Sequence, residues 1–288
     1  MLMAHGFFNR MSDEKYLRLK YKMIFGKELN LNNPQTFSEK VQWLKLYDRR
    51  PEYTIMVDKY AVKAYVEKLI GKKYIIPTIG VWDNPDDIDF STLPDRFVLK
   101  CNHNSGLGMF ICKDKKTIDE KKVRADLAAG LKENFFLRGR EWPYKNVPHK
   151  IIAEKYMEDR VTGELRDYKF FCFNGEVKAL FIASDRQSED EETKFDFFDA
   201  DYNHLPFTNG HPNASITPQK PICFEEMKRL ASILSKGIPQ VRVDFYEVDG
   251  QVYFGELTLS HWSGMTPFKP DKWDLVFGKW ITLPEKRV

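Results

Sequence analysis

One stretch near the C-terminal end, VRVDFYEVDGQVYFGELTL (241–259), constrains the fold more than any other. Apolar and polar residues alternate on both sides of Asp249-Gly250, and Asp-Gly between two alternating runs is a hairpin signal. With a period of two, Arg242 and Asp244 share one side of the first strand, and Glu256 and Thr258 share one side of the second. A two-residue turn opposes Asp244 to Gly255 and sends Glu256 to the other face. A three-residue loop with Gly250 in the left-handed region opposes Asp244 to Glu256 instead. That second register builds a hard, oxygen-rich site of the kind a phosphate-bound magnesium prefers, although the same residues also describe an exposed acidic sheet face. Unpaired carboxylates facing each other across a sheet repel, which favours a cation between them. Arg242 either stabilises negative charge developing on a phosphoryl or tetrahedral oxygen, or simply neutralises Asp244.

The rest of the chain is long enough to build a substantial core around such a hairpin. At 288 residues it buries roughly three quarters of its unfolded surface. The four cysteines, Cys101, Cys112, Cys172 and Cys223, form no C-x-x-C pair and suit neither a disulfide framework nor a zinc site. Lysine and arginine number 45 against 42 acidic residues, with no basic stripe, so nucleic acid is not an expected partner. No apolar run reaches the ~18 residues of a membrane span, and MLMAHGFFNRMSDEK lacks a signal-peptide core. A soluble protein of the reducing cytoplasm is expected.

The N-terminal part reads as helical. Ser12 can cap a helix that Gly26 ends, Thr36 or Ser38 can cap one through Tyr47, and Asp58 opens a third, DKYAVKAYVEKLIGKK. Strands YIIPTIGVW, RFVLKCN and MFICK follow, then a helix from about Thr117 to Phe136 and the strand HKIIAEKYM. Beyond it strands dominate, with a turn at Asn174-Gly175 and a further helix from Phe224 to Ser235. The expected class is α+β, with sheets built largely of hairpins.

A second candidate site is the loop CNHNSGLGM (101–109), which joins two strands with Lys100 at its mouth. Its amides and the Ser105 hydroxyl could wrap phosphate oxygens, with Gly106 and Gly108 permitting close approach; an ordinary solvated hairpin has the same appearance. Lys59 and Lys63, one turn apart, fit a phosphate ligand and its neighbour or a solvated helix face. Glu154 and Asp167 are equally ambiguous alone, and His103, His211 and His261 lack a second ligand at metal-like spacing.

Taken in order, these motifs resemble the ATP-grasp superfamily. The D-K-x-x-x-K helix start, VLKCNHNSGLG, IIAEKY, DYKF and R-V-D…G-E-L-T…S-G-M-T run in that superfamily's sequence, from about Val57 to Phe268. The segments PQTFSEKVQWLK and MVDKY resemble its TupA-like branch, associated with bacterial surface-polysaccharide clusters. The resemblance implies two α+β lobes holding ATP between them: a helical N-terminal region (1–57), a small lobe with the phosphate loop (58–150) and a large lobe with the metal site (151–288). It implies that Lys59 and Lys100 touch the nucleotide phosphates and that Ser105, Gly106 and Gly108 form the closing loop. Glu154, Lys155 and Tyr156 would read adenine, and Asp167 would bind ribose. Asp244, Glu256 and Thr258 would hold Mg2+, with Thr258 standing where the superfamily usually has asparagine. Arg242, with Lys100, would be catalytic, and Gly264, Met265 and Thr266 match the loop after the metal strand.

The implied activity is ATP-dependent ligation of a carboxylate to an amine through an acyl phosphate, with a uronic acid of a capsular or other surface polysaccharide, or its precursor, as the carboxylate. Arg186, FDFFDAD (195–201) and Asn209–His211 could hold an anionic sugar, and contact with membrane-linked glycan intermediates follows from the same reading. The alternatives are a glycosyltransferase of the same biosynthesis, for which Asp199-Ala200-Asp201 has the D-x-D spacing, and an ATP-dependent sugar kinase. On the ligase reading, Asp244→Asn or Glu256→Gln removes turnover and spares the fold.

Overall fold

The structure is a computed structural model that describes residues 8–160, 165–184 and 192–287. Arg186 and the other residues of 185–191 lie outside the described residues.

The helical N-terminal part contains α1 (Asp13–Phe25), α2 (Phe37–Tyr47), α3 (Pro51–Val57) and α4 (Ala61–Ile70). Gly26 ends α1 in the left-handed conformation, and Thr36 and Glu39 form a reciprocal capping box at the start of α2. Asp58 does not open one continuous helix as expected. It closes α3, and its Oδ1 accepts from the amides of Tyr60 and Ala61, so α4 begins only at Ala61. The short polar side chain competes for local amides and breaks the run.

Strands β1 (Thr78–Trp82), β2 (Phe97–Cys101), β3 (Met109–Cys112) and β4 (Ile151–Lys155) form an antiparallel sheet in the order β1-β4-β2-β3. Between β3 and β4 run α5 (Glu120–Leu131) and the short α6 (Phe136–Gly139), in place of one helix from 117 to 136. Because β4 pairs with both β1 and β2, the chain leaves this sheet after Lys155, not at residue 150.

The second sheet has the order β10-β9-β5-β6-β7 and is also antiparallel. Its strands are β5 (Asp167–Phe173), β6 (Glu176–Ser184), β7 (Lys194–Asp199), β9 (Val241–Val248) and β10 (Gln251–Thr258). A small pair, β8 (Thr208–Asn209) with β11 (Phe268–Lys269), lies near its end. Helix α7 (Phe224–Leu234) covers one face, with Phe224, Met227 and Leu230 packed on Phe170, Val243 and Phe245. On the other face α2 and α8 (Lys272–Trp280) meet Phe171, Phe181 and Phe197 through Phe37, Val41 and Phe277. Alternate residues of β5 and β9 are therefore buried on both sides, and polar side chains there stand only where other polar groups meet them.

Candidate active site

The register of β9 and β10 decides the site. Asp244 lies opposite Glu256, and Arg242 opposite Thr258. The route differs from the expected three-residue loop. Asp249 and Gly250, both with positive φ, make a two-residue turn that pairs Val248 with Gln251. The register is corrected farther along, where Gly255 bulges out between the pairs Phe254–Phe245 and Glu256–Asp244. A Cβ at Gly255 would stand 3.1 Å from both the Asp244 carbonyl oxygen and the Tyr246 ring, so the bulge suits glycine.

Next to Asp244 on its other side is Lys169 of β5, and next to Arg242 is Phe171. A row Lys169–Asp244–Glu256 thus crosses the sheet. Lys169 Nζ donates to Asp244 Oδ2 at 2.5 Å and to Asp167 Oδ1 at 3.1 Å. Arg242 donates through Nε to Asp244 Oδ1 (2.7 Å) and through Nη2 to Asp244 Oδ2 (2.6 Å), Glu256 Oε1 and Thr258 Oγ1 (both 2.9 Å). Burial acts to raise the Glu256 carboxyl, but Lys169, Lys59 and Arg242 outweigh it and hold it well below the usual carboxylate range. Lys169 is pulled the other way, burial lowering its ammonium against the attraction of Asp244.

His261 completes the support of Arg242. A guanidinium only donates, so His261 Nδ1, 2.8 Å from Arg242 Nη1, accepts. Its Nε2–H then donates to Asn209 Oδ1 at 3.0 Å, while Asn209 Nδ2 donates to the Thr266 carbonyl. Burial first, then Arg242 and Lys169, push the His261 imidazolium far down, in keeping with this neutral tautomer. His261 was considered from sequence only as a histidine without a second metal ligand, and Lys169 was not singled out; the alternation of DYKF, which sets Asp167 and Lys169 on one face, is the signal that points towards Lys169.

Two cavities adjoin this network. The narrower, about 210 Å³, lies between the sheets and is walled by Ile75, Val98, Ile111, Met157, Leu165 and Phe254. Glu154, Lys155 and Tyr156 line it where β4 leaves its sheet, and so do Lys63 and Lys100. Glu154 bridges these lysines, 2.6 Å from Lys63 and 2.5 Å from Lys100. Burial acts to raise its carboxyl, yet Lys100 and Lys63 hold it below the ordinary value. Lys63 also donates to Ile76 O and Thr78 Oγ1, so it is an internal anchor and not part of a solvated helix face. Asp167 does not line this slot. It is 1% exposed beside Lys169, away from the lining where a ribose ligand was expected.

The wider cavity, about 520 Å³, contains Lys59, Ser105, Lys169, Arg242, Glu256 and Thr258. Lys59 lies between the two: burial lowers its ammonium, while Glu256 and Glu154 attract it. The loop after β2 has a fixed stem and an open tip. Asn102 donates to Asp58 and Pro148 and accepts from the Lys150 amide, and Asn104 donates to Gly130 O. Gly108 (φ 68°) packs against Gly130, where a Cβ would come within 3.0 Å of its Cα. Ser105, Gly106 and Leu107 are exposed at the tip.

The wider cavity is also lined from α1, from the end of α6 and the segment after it, and from the turn after β10: Lys20, Gly139, Glu141, Tyr144, Trp262 and Ser263. Trp262, Ser263 and Gly264 all have positive φ. This turn is held by α2. Gln42 Nε2 donates to the Ser263 and Gly264 carbonyls, and Lys45 Nζ donates to Ser263 O, Ser263 Oγ, Gly139 O and Gln42 Oε1. Lys45 is 4% exposed, and burial pushes its ammonium down to about 7, against the pull of Glu141. Gln42 and Lys45 fall within PQTFSEKVQWLK but were given no role from sequence, and Glu141 carries no motif. Phe195 and Phe181 line the cavity, and His211 packs on Phe195, whereas the Asp199–Asp201 pair is a turn in which Asp199 accepts from the Asp201 and Asn203 amides.

The donor set fits a magnesium ion only in part. Among the described residues no three His, Cys, Asp or Glu side chains gather. Both Asp244 oxygens accept from cations, and the Thr258 hydroxyl is shared by Arg242 and Glu256. Two carboxylates beside lysines that face a phosphate-sized space suit an ion whose remaining ligands are phosphate oxygens and water. No described helix is long and apolar enough to cross a membrane.

No curated protein matches the chain. Among solved structures it is similar to D-alanine–D-alanine ligase from Helicobacter pylori, with 15% identity and a TM-score of 0.44 over 86% of this chain and 69% of that one. The corresponding ligase from Bacillus anthracis, complexed with ATP, shows 14% identity and a TM-score of 0.41 over 71% of this chain, which spans about half (54%) of that one. D-cycloserine synthetase shows 15% identity and a TM-score of 0.42 over 78% and 69% of the two chains. The family model described as TupA-like ATP-grasp matches residues 39–282, and the chain belongs to that family.

Proposed function

We propose that the protein is an ATP- and magnesium-dependent carboxylate–amine ligase that activates a uronic acid of a surface polysaccharide, or its precursor, as an acyl phosphate. The observation that carries this reading is a pair of cavities, an apolar slot with Lys63 and Lys100 in its lining and a wider chamber lined by Lys59, Lys169 and Arg242, whose linings follow one another in sequence at Gly255 and Glu256. A flat base fits between Val98, Ile111 and Phe254, with polar contacts from the backbone around Lys155 and Tyr156. Triphosphate oxygens then compete with Glu154 for Lys63 and Lys100, and Lys59 extends the cationic track into the chamber.

Asp244 and Glu256 would hold magnesium, with Thr258 acting only through water because its hydroxyl is already engaged. When bound, that ion offsets charge on the transferring phosphoryl group. Arg242 is fixed by Asp244 and His261, so its guanidinium is preorganised for charge developing on a tetrahedral oxygen. The open glycine tip at 105–107 is free to close over the acyl phosphate and keep water from it. A sugar ring finds apolar support on Phe181, Phe195 and Trp262. The uronic acid itself is inferred from the association of this family branch with surface polysaccharides.

Binding of ATP with and without magnesium, compared with a panel of nucleotide sugars, tests the nucleotide half. Hydroxamate formation from uronic acids, ATP and hydroxylamine tests the acyl phosphate. Magnesium-enhanced ATP binding with hydroxamate supports the ligase. Nucleotide-sugar binding without ATP binding makes it a glycosyltransferase, and ADP release without hydroxamate makes it a kinase.

A further inference from the structure

Only two carboxylates line the wider cavity among the described residues, Glu256 and Glu141. Glu256 is committed to Arg242, Thr258 and the metal position. Glu141 lines the same cavity from the segment after α6, 8% exposed, in a place the backbone reaches only under strain. Arg140, immediately before it, is left-handed (φ 53°, ψ 39°) and is held there by Asp13 and the Phe8 carbonyl. The turn it abuts is left-handed as well, at Trp262 and Ser263. The two segments touch so closely that a Cβ on Gly139 would stand 2.3 Å from Ser263 Oγ and 2.8 Å from Glu141 Oε1. Non-glycine residues in this conformation are strained and persist where surrounding contacts over-determine them, commonly at working sites.

The groups facing Glu141 are Ser263 from the turn, Lys45 from α2, Lys20 from α1 and, three residues on, the Tyr144 phenol, which burial and then Glu141 push well above its ordinary value. None closes on it as an ion pair: Lys45 spends its donors on Gln42, Gly139 and Ser263, and Lys20 donates to Arg138 O. Burial raises the Glu141 carboxyl above its ordinary value, with Lys45 and Ser263 opposing, which leaves a carboxylate more basic than one in water. A ligase must also deprotonate its amine, because an ammonium ion has no lone pair with which to attack.

We infer that Glu141 is the amine subsite of this enzyme: its carboxylate binds the incoming primary ammonium in the cavity it shares with Arg242 and takes its proton. The inference rests on the ligase reading above. In the step, one ammonium proton passes to Glu141 and the freed nitrogen lone pair forms the bond to the acyl carbon. The acyl carbon–oxygen bond to the phosphate then breaks, and the phosphate leaves with that electron pair and the second nitrogen proton. Glu141 returns its proton to solvent.

The test uses two probe nucleophiles on the full chain with ATP, magnesium and a uronic acid. Hydroxylamine is unprotonated at neutral pH and needs no base, whereas ammonium, the smallest amine, is almost wholly protonated. Glu141→Gln is expected to lower amide formation from ammonium about 100-fold more than hydroxamate formation. Equal loss of both products, or of neither, overturns the inference, as does wild-type enzyme that makes hydroxamate but no amide from ammonium. Absence of hydroxamate from the wild type defeats the ligase reading itself, a separate result, and the inference falls with it. A measurement on wild type alone guards against a variant that does not fold. If Glu141 is the base, the amide rate at fixed total ammonium is flat with pH once the carboxylate is ionised; a rate that follows free ammonia tenfold per pH unit overturns it.

Discussion

Asp244→Asn should damage the fold as well as the site, and the structure allows the size of that effect to be worked out. The sequence suggested a partly exposed acidic pair whose members could be neutralised without structural harm. Instead Asp244 is 1% exposed and receives Arg242 Nε at 2.7 Å, Arg242 Nη2 at 2.6 Å and Lys169 Nζ at 2.5 Å. Asparagine keeps the volume and one acceptor, but its NH2 must face one of those cations, and two buried positive charges lose their counter-ion. Breaking a buried, hydrogen-bonded ion pair by removing one partner costs about 3–5 kcal/mol. At roughly 2–4 °C per kcal/mol for a domain of this size class, the melting temperature should fall by roughly 6–20 °C. Glu256→Gln is the control. Its side chain is 39% exposed and meets only one Arg242 nitrogen and the Thr258 hydroxyl, so solvent screening limits its loss to about 1 kcal/mol or less. Thermal and urea denaturation of both variants, beside magnesium-dependent ATP binding, separates the roles. An Asp244→Asn protein as stable as wild type, or a Glu256→Gln protein equally destabilised, would refute the description of Asp244 as the counter-ion that holds this network together.

Gly264→Ala tests the grip of α2 on the cavity wall: φ is 63°, and the added Cβ would meet Gln42 Nε2 at 2.6 Å and Val41 Cγ1 at 2.7 Å. A loss of about 1–3 kcal/mol is expected from overpacking of this kind, read by urea denaturation, and a neutral result would show that α2 yields there. His103, in the loop after β2, stacks on His149 with ring centroids 3.5 Å apart. Burial, then His149, lowers its imidazolium from the usual 6.5 to about 4. The unfolded chain therefore binds the extra proton first, and stability should fall as the pH drops from about 6.5 through about 4. His103→Asn should flatten that part of the stability–pH profile, and an unchanged slope would remove His103 as its source.

Much of the candidate site's residue placement was legible because its signals are local. Alternation placed Arg242 with Asp244 and Glu256 with Thr258, and the glycines of CNHNSGLGM marked a close-packed loop. Period two cannot tell one register from its neighbour, however. The pairing of Asp244 with Glu256 came from a bulge at Gly255, whose only cause is the packing of that glycine on Asp244 and Tyr246 of the adjacent strand. The cost of a misplaced charge is just as non-local. Lys169 neutralises Asp244 from a strand 75 positions away, and His261 orients Arg242 through Asn209, 52 positions back. Asp167 looked like a ribose ligand and became a buried partner of Lys169, because residues on the inner face of β5 reach the sheet interior before they reach the slot.

What the sequence by itself determined is the α+β class, the helical start, the strand pairs and the chemical types gathered on each strand, since these follow from spacing along the chain. Only the tertiary structure decided which wall those groups face and what opposes them. Lys45 and Ser263 are 218 positions apart, and Gln42 and Gly264 are 222 apart. Their contact brings Glu141 into the cavity and holds a strained turn closed. No periodicity encodes a contact of that range, because it exists only when burial of α2 against the large sheet brings a lysine to carbonyls that would otherwise lie orphaned in the interior.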